Sequence, residues 1–141
     1  MNEITIWFDG GCHGNPGWKY GSYLVQLDHA VILDRSRVKF GWGTNNEAEF
    51  NAMEMALRET LDWMADRWSN PADYQVRIIT DSMILRNRMM KRNVIHGKKE
   101  WHDASERMYR LACGCLELCR RFGSFRVEWQ GREANVERFG H

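Results

Sequence analysis

The sequence predicts an α/β fold in which one five-stranded mixed sheet carries helices on both faces. Three β-type segments come first, and two further strand-like segments then alternate with helical periodicity. Short connections favour antiparallel pairing, whereas strand–helix–strand crossings require parallel pairing, so both kinds are expected in one sheet. A chain of 141 residues with 43% hydrophobic residues suits one domain, which we expect to span residues 1–141.

The first three strands are expected to form an antiparallel meander. Residues 4–8 (ITIWF) have the two-residue period of a strand and lead into a glycine-rich segment, residues 9–17 (DGGCHGNPG), which reads as a long turn. Residues 20–27 and 30–40 are rich in β-forming side chains, and the two residues between them suffice for a hairpin.

The rest of the chain alternates helices and strands. A helix should begin at a cap formed by Thr44, Asn45 or Asn46 and end near Arg67. The later elements are predicted as a strand at 75–80, helices at 82–90 and 100–122, a strand at 123–130 and a final helical fragment from residue 135.

The sequence favours a cytoplasmic protein, and we expect a monomer. No apolar run approaches the roughly 20 residues of a membrane span, and the N-terminus has no leader pattern. Three of the four cysteines lie within residues 113–119, which favours reduced thiols over a disulfide framework. The net charge of +1 does not by itself indicate nucleic-acid binding, but acids are concentrated at 47–66 and bases at 86–99.

Three acidic residues are expected to converge. Asp9 and Asp81 each follow a predicted strand, where open α/β sheets place their ligands, and Glu49 lies early in the helix after Thr44-Asn45-Asn46. Three adjacent carboxylates repel one another, and a divalent cation removes that repulsion. Magnesium prefers such oxygen ligands, so we predict a metal site of the phosphoryl-transfer type.

Each acid alone also has an ordinary structural explanation. Asp9 could form a turn before two glycines, Asp81 could cap the next helix in competition with Ser82, and Glu49 could favour the helix N-terminus. Turns and caps do not require three acids to converge.

Three sequence blocks resemble those of the type 1 ribonuclease H family: DGGCHGNPG at 9–17, TNNEAE at 44–49 and ITDS at 79–82, in this order. The resemblance extends from the first strand to the last. It implies a ribonuclease H-like fold and an endonuclease that cuts the RNA strand of RNA–DNA hybrids, leaving 5′-phosphate and 3′-hydroxyl ends. It also implies Mg²⁺, or alternatively Mn²⁺, with two ions when substrate is bound.

The resemblance implies roles for individual residues. Asp9, Glu49 and Asp81 match the catalytic, metal-binding acids; Glu49 is preferred to Glu47 because the family's acid lies three residues after the second Asn, here Asn46. A second group matches substrate contacts: the positions equivalent to Cys12, Asn15 and Asn45 touch RNA sugars, and the position equivalent to Thr44 touches a DNA phosphate.

Two further segments carry weaker signals. The basic stretch from Arg86 to Lys99, followed by Trp101, resembles a region that handles the DNA strand, where Lys and Arg would contact phosphates without sequence preference. The segment CGCLELC (113–119) has no fourth ligand at a fitting spacing, so its cysteines are predicted to pack in the core.

The C-terminal segment departs from the family pattern. Aligning on Asn135 places Phe139 where the family has a fourth metal-site carboxylate, and the helix there is expected to be shortened. The loop before it lacks the His found in many bacterial members. Either the three acids suffice for hydrolysis, at a reduced rate or with a stronger metal requirement, or Glu137 or His141 fills the position, or the protein binds hybrids without cutting them.

We favour hydrolysis by the three acids, since a pure binder has no evident use for them. The alternatives are a non-catalytic module that binds hybrids or double-stranded RNA, and another nuclease of the same broad fold, such as a resolvase or transposase core. The predicted partner is an RNA–DNA hybrid, with no membrane association.

Overall fold

A five-stranded mixed sheet forms the centre of the structure, a computed structural model that describes residues 2–90 and 106–139. In chain order the elements are β1 (Asn2–Gly14), β2 (Gly17–Leu27), β3 (Ala30–Gly43), α1 (Asn45–Asp66), a short 3₁₀ helix (Pro71–Asp73), β4 (Tyr74–Thr80), α2 (Met83–Met90), α3 (Glu106–Cys119), β5 (Ser124–Trp129) and α4 (Arg132–Phe139).

The strand order is β3-β2-β1-β4-β5. β1, β2 and β3 pair in antiparallel fashion, and β4 pairs in parallel with both β1 and β5, so the predicted mixed sheet is confirmed. β1 pairs with β4 only as far as Trp7 and Ile79, whereas its pairing with β2 continues to Gly14 and Gly17. The first strand therefore extends well past the end of its parallel neighbour.

The prediction of a long glycine-rich turn at 9–17 was wrong. Residues 9–14 continue β1, and only Asn15 and Pro16, joined by a cis peptide bond, lie between the paired residues Gly14 and Gly17. Gly14 has a φ of +83°, a conformation that glycine adopts without steric penalty. The segment is extended because each residue has a partner on β2, and local composition cannot show such pairing.

Helices cover both faces of the sheet. Ile4, Ile6 and Phe8 point toward α1 and α3 and are fully buried in the main core. Trp7 points to the opposite face, where α4 packs with the guanidinium of Arg138 4.1 Å from the Trp7 ring centroid. Asp9, two residues past the end of the β1–β4 pairing, thus lies in a sheet that has helices on both faces.

α1 begins where the sequence predicted. Thr44 is the N-cap, and it forms a capping box in which its side chain accepts from the Glu47 N–H while the Glu47 carboxylate accepts from the Thr44 N–H, each over 3.2 Å. This arrangement fixes the start of α1, and Glu49 follows two residues after Glu47 on the same helix.

The later elements agree with the predicted order. The predicted helix at 100–122 is observed as α3 from Glu106, and its earlier part lies outside the described residues. The core packing of Cys115 and Cys119 is confirmed, because both side chains are fully buried, while Cys113 is only partly buried.

Candidate active site

Three carboxylates from separate elements meet at the C-terminal edge of the parallel strands. Asp9 lies in β1, Glu49 in α1, and Asp81 follows β4 directly. One carboxylate oxygen from each lies within 4.8 Å of the other two. The predicted convergence of these residues is confirmed, and we call them the acidic cluster.

Gly10 brings α1 against β1. A Cβ atom built on Gly10 would lie 2.5 Å from the backbone carbon and oxygen of Ala48 and 2.6 Å from the Glu49 nitrogen. Only glycine permits this approach, which places Glu49 beside Asp9. Asp9 itself pairs with Ser22 inside the sheet, so its explanation as a turn residue was wrong.

Asp81 is available to the acidic cluster because Ser82 caps α2. The Ser82 hydroxyl accepts from the Leu85 N–H over 3.1 Å, and the Ser82 carbonyl accepts from the Arg86 N–H over 3.0 Å. The indole Nε1 of Trp129 donates to the Asp81 carbonyl over 3.1 Å, which ties this position to β5.

Glu47 is engaged elsewhere. Besides the capping box, its Oε2 lies 3.0 Å from Nε of Arg107 in an ion pair between α1 and α3. The sequence-based choice of Glu49 over Glu47 therefore agrees with the geometry, since only Glu49 belongs to the acidic cluster.

The electrostatics of the cluster disfavour three negative charges. Burial raises the pKa of Asp9 from 3.8 to about 7, and the charge of Asp81 adds to this effect, whereas the Gly10 N–H and the Arg132 charge oppose it. Burial also raises the pKa of Glu49 well above its ordinary value, helped by the charges of Asp9 and Asp81. This environment favours the protonated carboxyl groups, and a divalent ion would compete with those protons.

The donor set fits a hard divalent cation. All three groups offer carboxylate oxygens, and Oε2 of Glu49 is buried with no hydrogen-bond partner among the described residues. A buried carboxylate oxygen without a partner is costly, and a bound cation would satisfy it. The cluster can therefore serve as a metal site of the magnesium type.

Polar groups of the β1–β2 hairpin tip meet the start of α1 next to the cluster. Oδ1 of Asn45 accepts from the Cys12 backbone N–H over 3.0 Å and lies 3.1 Å from the Cys12 thiol. The Asn45 N–H in turn donates to Oδ1 of Asn15 over 3.2 Å. The structure thus brings Cys12, Asn15 and Asn45 together, and Thr44 adjoins them as the α1 cap.

Arg132 is a site residue that sequence reasoning missed. It lines the same cavity of about 530 Å³ as Asp9, Glu49 and Asp81, and its positive charge lowers the pKa of Asp9. It is the first residue of α4 and follows β5, so the parallel sheet carries it to the edge where the acids lie. A single exposed Arg has no sequence signature; only its position after the last strand could have indicated it.

The last helix approaches the cluster through Asn135. This residue is buried, and its Nδ2 donates to the Phe8 carbonyl over 3.4 Å, directly before Asp9. Phe139 lies one helical turn further on and supplies no carboxylate. Glu137 is exposed and is not part of the acidic cluster, and His141 lies outside the described residues.

The predicted basic region is only partly described. Arg86 and Arg88 belong to α2, whereas Lys91 to Lys99 and Trp101 lie outside the described residues. Its role in DNA-strand binding remains a prediction. None of the helices in the described part of the chain has the length and apolar character needed to cross a bilayer.

Sequence comparison identifies the relatives of this chain. The RNase H family model matches residues 1–129. A ribonuclease H of Maricaulis maris is 38% identical over 135 residues, which cover 92% of this chain and 80% of that protein. The first curated relatives are longer: the chain spans only 33% of a bifunctional protein of Mycobacterium tuberculosis, to which it is 25% identical.

Solved structures share the fold. RNase H1 from the halophilic archaeon Halobacterium salinarum superposes with a TM-score of 0.73 at 22% identity, covering 98% of this chain and 92% of that one. LC11-RNase H1, solved in complex with an RNA/DNA hybrid, gives a TM-score of 0.73 at 21% identity and covers 95% of this chain and 89% of that one.

The sheet order, the acidic cluster at the edge of the parallel strands and the family match agree with one another. The resemblance carried by residues 9–17, 44–49 and 79–82 is thereby confirmed. The chain belongs to the ribonuclease H family, type 1.

Proposed function

We propose that this protein hydrolyses the RNA strand of RNA–DNA hybrids endonucleolytically and leaves 5′-phosphate and 3′-hydroxyl ends. The observation that carries the proposal is the acidic cluster, in which ligand atoms of Asp9, Glu49 and Asp81 lie within 4.8 Å of one another. Membership of the ribonuclease H family and the hybrid bound by LC11-RNase H1 support the substrate class.

The reaction adds water across one phosphodiester bond. The P–O3′ bond breaks, the water oxygen joins phosphorus, and the remaining proton passes to the departing O3′. Magnesium or manganese, when bound, would neutralise the carboxylates and stabilise negative charge on the phosphoryl oxygens. Asp9, Glu49 and Asp81 would hold the metal charge at a fixed place, because a strand, a helix and the end of a strand position the three side chains.

The polar groups at the hairpin tip are proposed to recognise the RNA sugars. Cys12, Asn15 and Asn45 form one hydrogen-bonded unit beside the acidic cluster, and Thr44 is proposed to contact the phosphate of the DNA strand. A 2′-hydroxyl both donates and accepts hydrogen bonds, so amide side chains suit its recognition.

Arg132 is proposed to assist at the same cavity. Its positive charge acts on Asp9, it lines the cavity of the cluster, and its guanidinium can pair with a phosphate of the substrate. This role compensates in part for the negative charge that the acids present to an anionic strand.

The alternative is a module that binds hybrids without cutting them. Phe139, in place of a fourth carboxylate, favours it, because the described part of the chain brings only three acids together. Such a module would bind hybrids in a salt-sensitive way that removal of divalent ions leaves unchanged.

Incubation of an end-labelled RNA–DNA hybrid with the protein and Mg²⁺ or Mn²⁺ decides between these functions. We expect RNA fragments with 3′-hydroxyl ends and none from the Asp9→Asn variant. Binding without cleavage above that control would leave only the binding module. Cleavage of duplex DNA in the same assay would favour a different nuclease of this fold.

We further propose that residues 1–141 act as one monomeric domain in a reducing, cytoplasmic compartment. Four free cysteines support the reducing environment. Sedimentation of the purified chain tests the monomer directly.

A further inference from the structure

Two tryptophans form an exposed pair on the sheet face that carries Asp9. Trp18 on β2 and Trp42 on β3 are cross-strand partners, with ring centroids 5.2 Å apart and ring planes at 90°. Their side chains remain 62% and 54% exposed. A cross-strand aromatic pair can stabilise a hairpin, and two adjacent exposed indoles also offer a contiguous apolar surface of the kind found at interaction sites.

A cavity of about 610 Å³ adjoins this pair. We call it the aromatic groove; it is lined by His13, Trp18, Lys19, Tyr20, Arg37, Lys39 and Gly41, and Trp42 reaches it only through its ring contact with Trp18. The rings of His13 and Tyr20 lie 5.0 Å apart, centroid to centroid, and are tilted by 34°. The groove therefore combines several flat π-surfaces with basic side chains.

The charge of the groove is positive. None of the described residues that line it is acidic, and the exposed Arg37 and Lys39 both border it. The guanidinium carbon of Arg37 lies 5.3 Å from the Tyr20 ring centroid. An anionic ligand is thus favoured over a cationic one.

Irregularities of β3 direct Arg37 into the groove. The β2–β3 register shifts between Gly21 and Tyr23, and Arg37 there adopts a φ of +50°, held by its N–H donating to Ser22 Oγ over 3.0 Å. A non-glycine residue in this conformation is strained, and bulges of this kind reorient side chains. The backbone conformation of β3 therefore sets the direction of the Arg37 side chain.

The groove lies beside the cavity of the acidic cluster. Tyr20 lines both the groove and the cavity that contains Asp9, Glu49 and Asp81. Trp18 lies two residues further along β2, about 7 Å at the rise of a strand. Asp9 pairs with Ser22, four residues from Trp18, so about 14 Å along β2 separates the acids from the tryptophans, and a nucleic-acid strand that passes the acids can extend to them.

We propose that the aromatic groove binds unpaired nucleotides of an RNA strand that extends beyond the hybrid region. Bases expose their flat faces only when unpaired, and stacking on Trp18 and Trp42 requires those faces. Arg37 and Lys39 would contact the phosphates between the stacked bases. The inference rests on the proposed function for the position of the hybrid, but the groove itself can bind single-stranded RNA alone.

Fluorescence anisotropy of labelled RNA tests the groove. Dissociation constants are measured for a blunt hybrid, for the same hybrid with a short RNA extension at either end, and for a short single-stranded RNA. Cleavage is prevented with EDTA. For the wild-type chain we expect one of the two extensions to strengthen binding about tenfold, in line with base–aromatic stacking.

The variants locate the effect. Trp18→Ala with Trp42→Ala is expected to bring the ratio of extended to blunt affinity near one and to weaken binding of the single-stranded RNA about tenfold. Trp18→Phe should retain most of the preference, since it keeps a stacking ring and the hairpin pair. Trp68→Ala is the matched control, because Trp68 is 97% exposed and follows the opposite end of α1.

Three results would overturn the proposal. The first is equal binding of blunt and extended hybrids by the wild-type chain. The second is a loss of preference in Trp68→Ala as large as that in the groove variants. The third is a change in sedimentation of the protein alone in the groove variants with RNA binding unaltered, which would make the Trp18–Trp42 pair a protein interface. If the chain prefers extended hybrids but cleaves no hybrid in Mg²⁺, the proposed hydrolysis is rejected and RNA binding by the groove stands. If it cleaves hybrids but shows no preference for extensions, only RNA binding by the groove is rejected.

Discussion

The hydroxyl of Ser82 accepts a hydrogen bond from the backbone N–H of Leu85, so Ser82 rather than Asp81 caps α2. Two adjacent residues thereby have separable tasks, one structural and one at the acidic cluster. This separation makes the pair a direct test of the site.

Asp81→Asn should lower hybrid cleavage by at least about a hundredfold, since several kcal/mol of transition-state stabilisation depend on the cluster. It should leave the metal-free chain as stable or more stable, because it removes the Asp81 charge, which disfavours the charged forms of Asp9 and Glu49. Ser82→Ala should instead cost about 1 kcal/mol of unfolding free energy through loss of the cap. Urea unfolding in EDTA and the cleavage assay measure the two effects; equal loss of stability in both variants would contradict the assignment.

The metal-free protein should lose stability as the pH rises from about 4 to about 7. Asp9 holds its proton up to a pKa of about 7 when folded but only to 3.8 at its ordinary value. In that interval the folded state binds more protons than the unfolded state, so the free energy of unfolding falls with rising pH. Since one pKa unit corresponds to about 1.4 kcal/mol, the loss is on the order of 2–4 kcal/mol.

The difference between the wild type and Asp9→Asn isolates this effect from other carboxyl groups. Unfolding in EDTA at several pH values should show a gap that widens toward pH 7 in favour of the variant, and Mg²⁺ should close the gap. A difference that does not change with pH would show that Asp9 is not protonated in the folded chain.

Gly10→Ala should disrupt the site through packing. The added Cβ would lie 2.5 Å from backbone atoms of Ala48, so α1 must shift away from β1. We expect roughly 2 kcal/mol or more of lost stability and a large loss of activity, because Glu49 moves with α1. Gly114→Ala is the control: it lies in α3, where a Cβ would be 3.3 Å from only the flexible Glu54 side chain, and alanine favours the helix.

Arg132→Ala should have opposite effects on the two ligands of the cavity. Loss of the positive charge should raise KM for the hybrid about two- to fivefold, and it should lower the Mg²⁺ concentration needed for half-maximal activity. Arg126→Ala, which removes an arginine paired with Glu3 and Glu128, provides the control on β5. Identical KM and metal dependence in the wild type and Arg132→Ala would remove Arg132 from the site.

Phe139→Asp should make the protein bind Mg²⁺ more tightly. The resemblance places the family's fourth carboxylate at this position, one helical turn after the buried Asn135. We expect half-maximal activity at about tenfold lower Mg²⁺, and Phe139→Asn serves as the uncharged control. If both variants behave as the wild type does, residue 139 lies too far from the cluster to contribute.

Much of the fold could be predicted because periodicity and turn residues report local structure. The capping residues before α1 and the predicted strands that precede Asp9 and Asp81 are local features, and they sufficed to place the acidic cluster, although β1 in fact continues past Asp9. The glycine-rich segment was mistaken for a turn because its extended form depends on pairing with β2, which composition does not reveal.

Arg132 and the Trp18–Trp42 pair escaped prediction for a related reason. Arg132 reaches the acids only because β5 pairs in parallel with β4. The two tryptophans meet only because of the β2–β3 register, and the register shifts at Lys19/Tyr20 and Gly21/Tyr23 move the neighbouring side chains. Contacts between distant segments therefore account for what sequence patterns left out.

The unequal length of β1 and β4 has a consequence for how this protein can change. β1 leaves β4 at Trp7 and continues with β2 to Gly14, so Cys12 and Asn15 lie on a hairpin that does not pair with β4, although Cys12 and Asp81 line the same cavity. The sugar recognition and the hydrolytic chemistry that we propose would thus occupy separately replaceable parts. Substrate preference can diverge through the hairpin while the acids stay in place, and an exchange of residues 12–16 offers a way to retarget the protein without rebuilding its reactive centre.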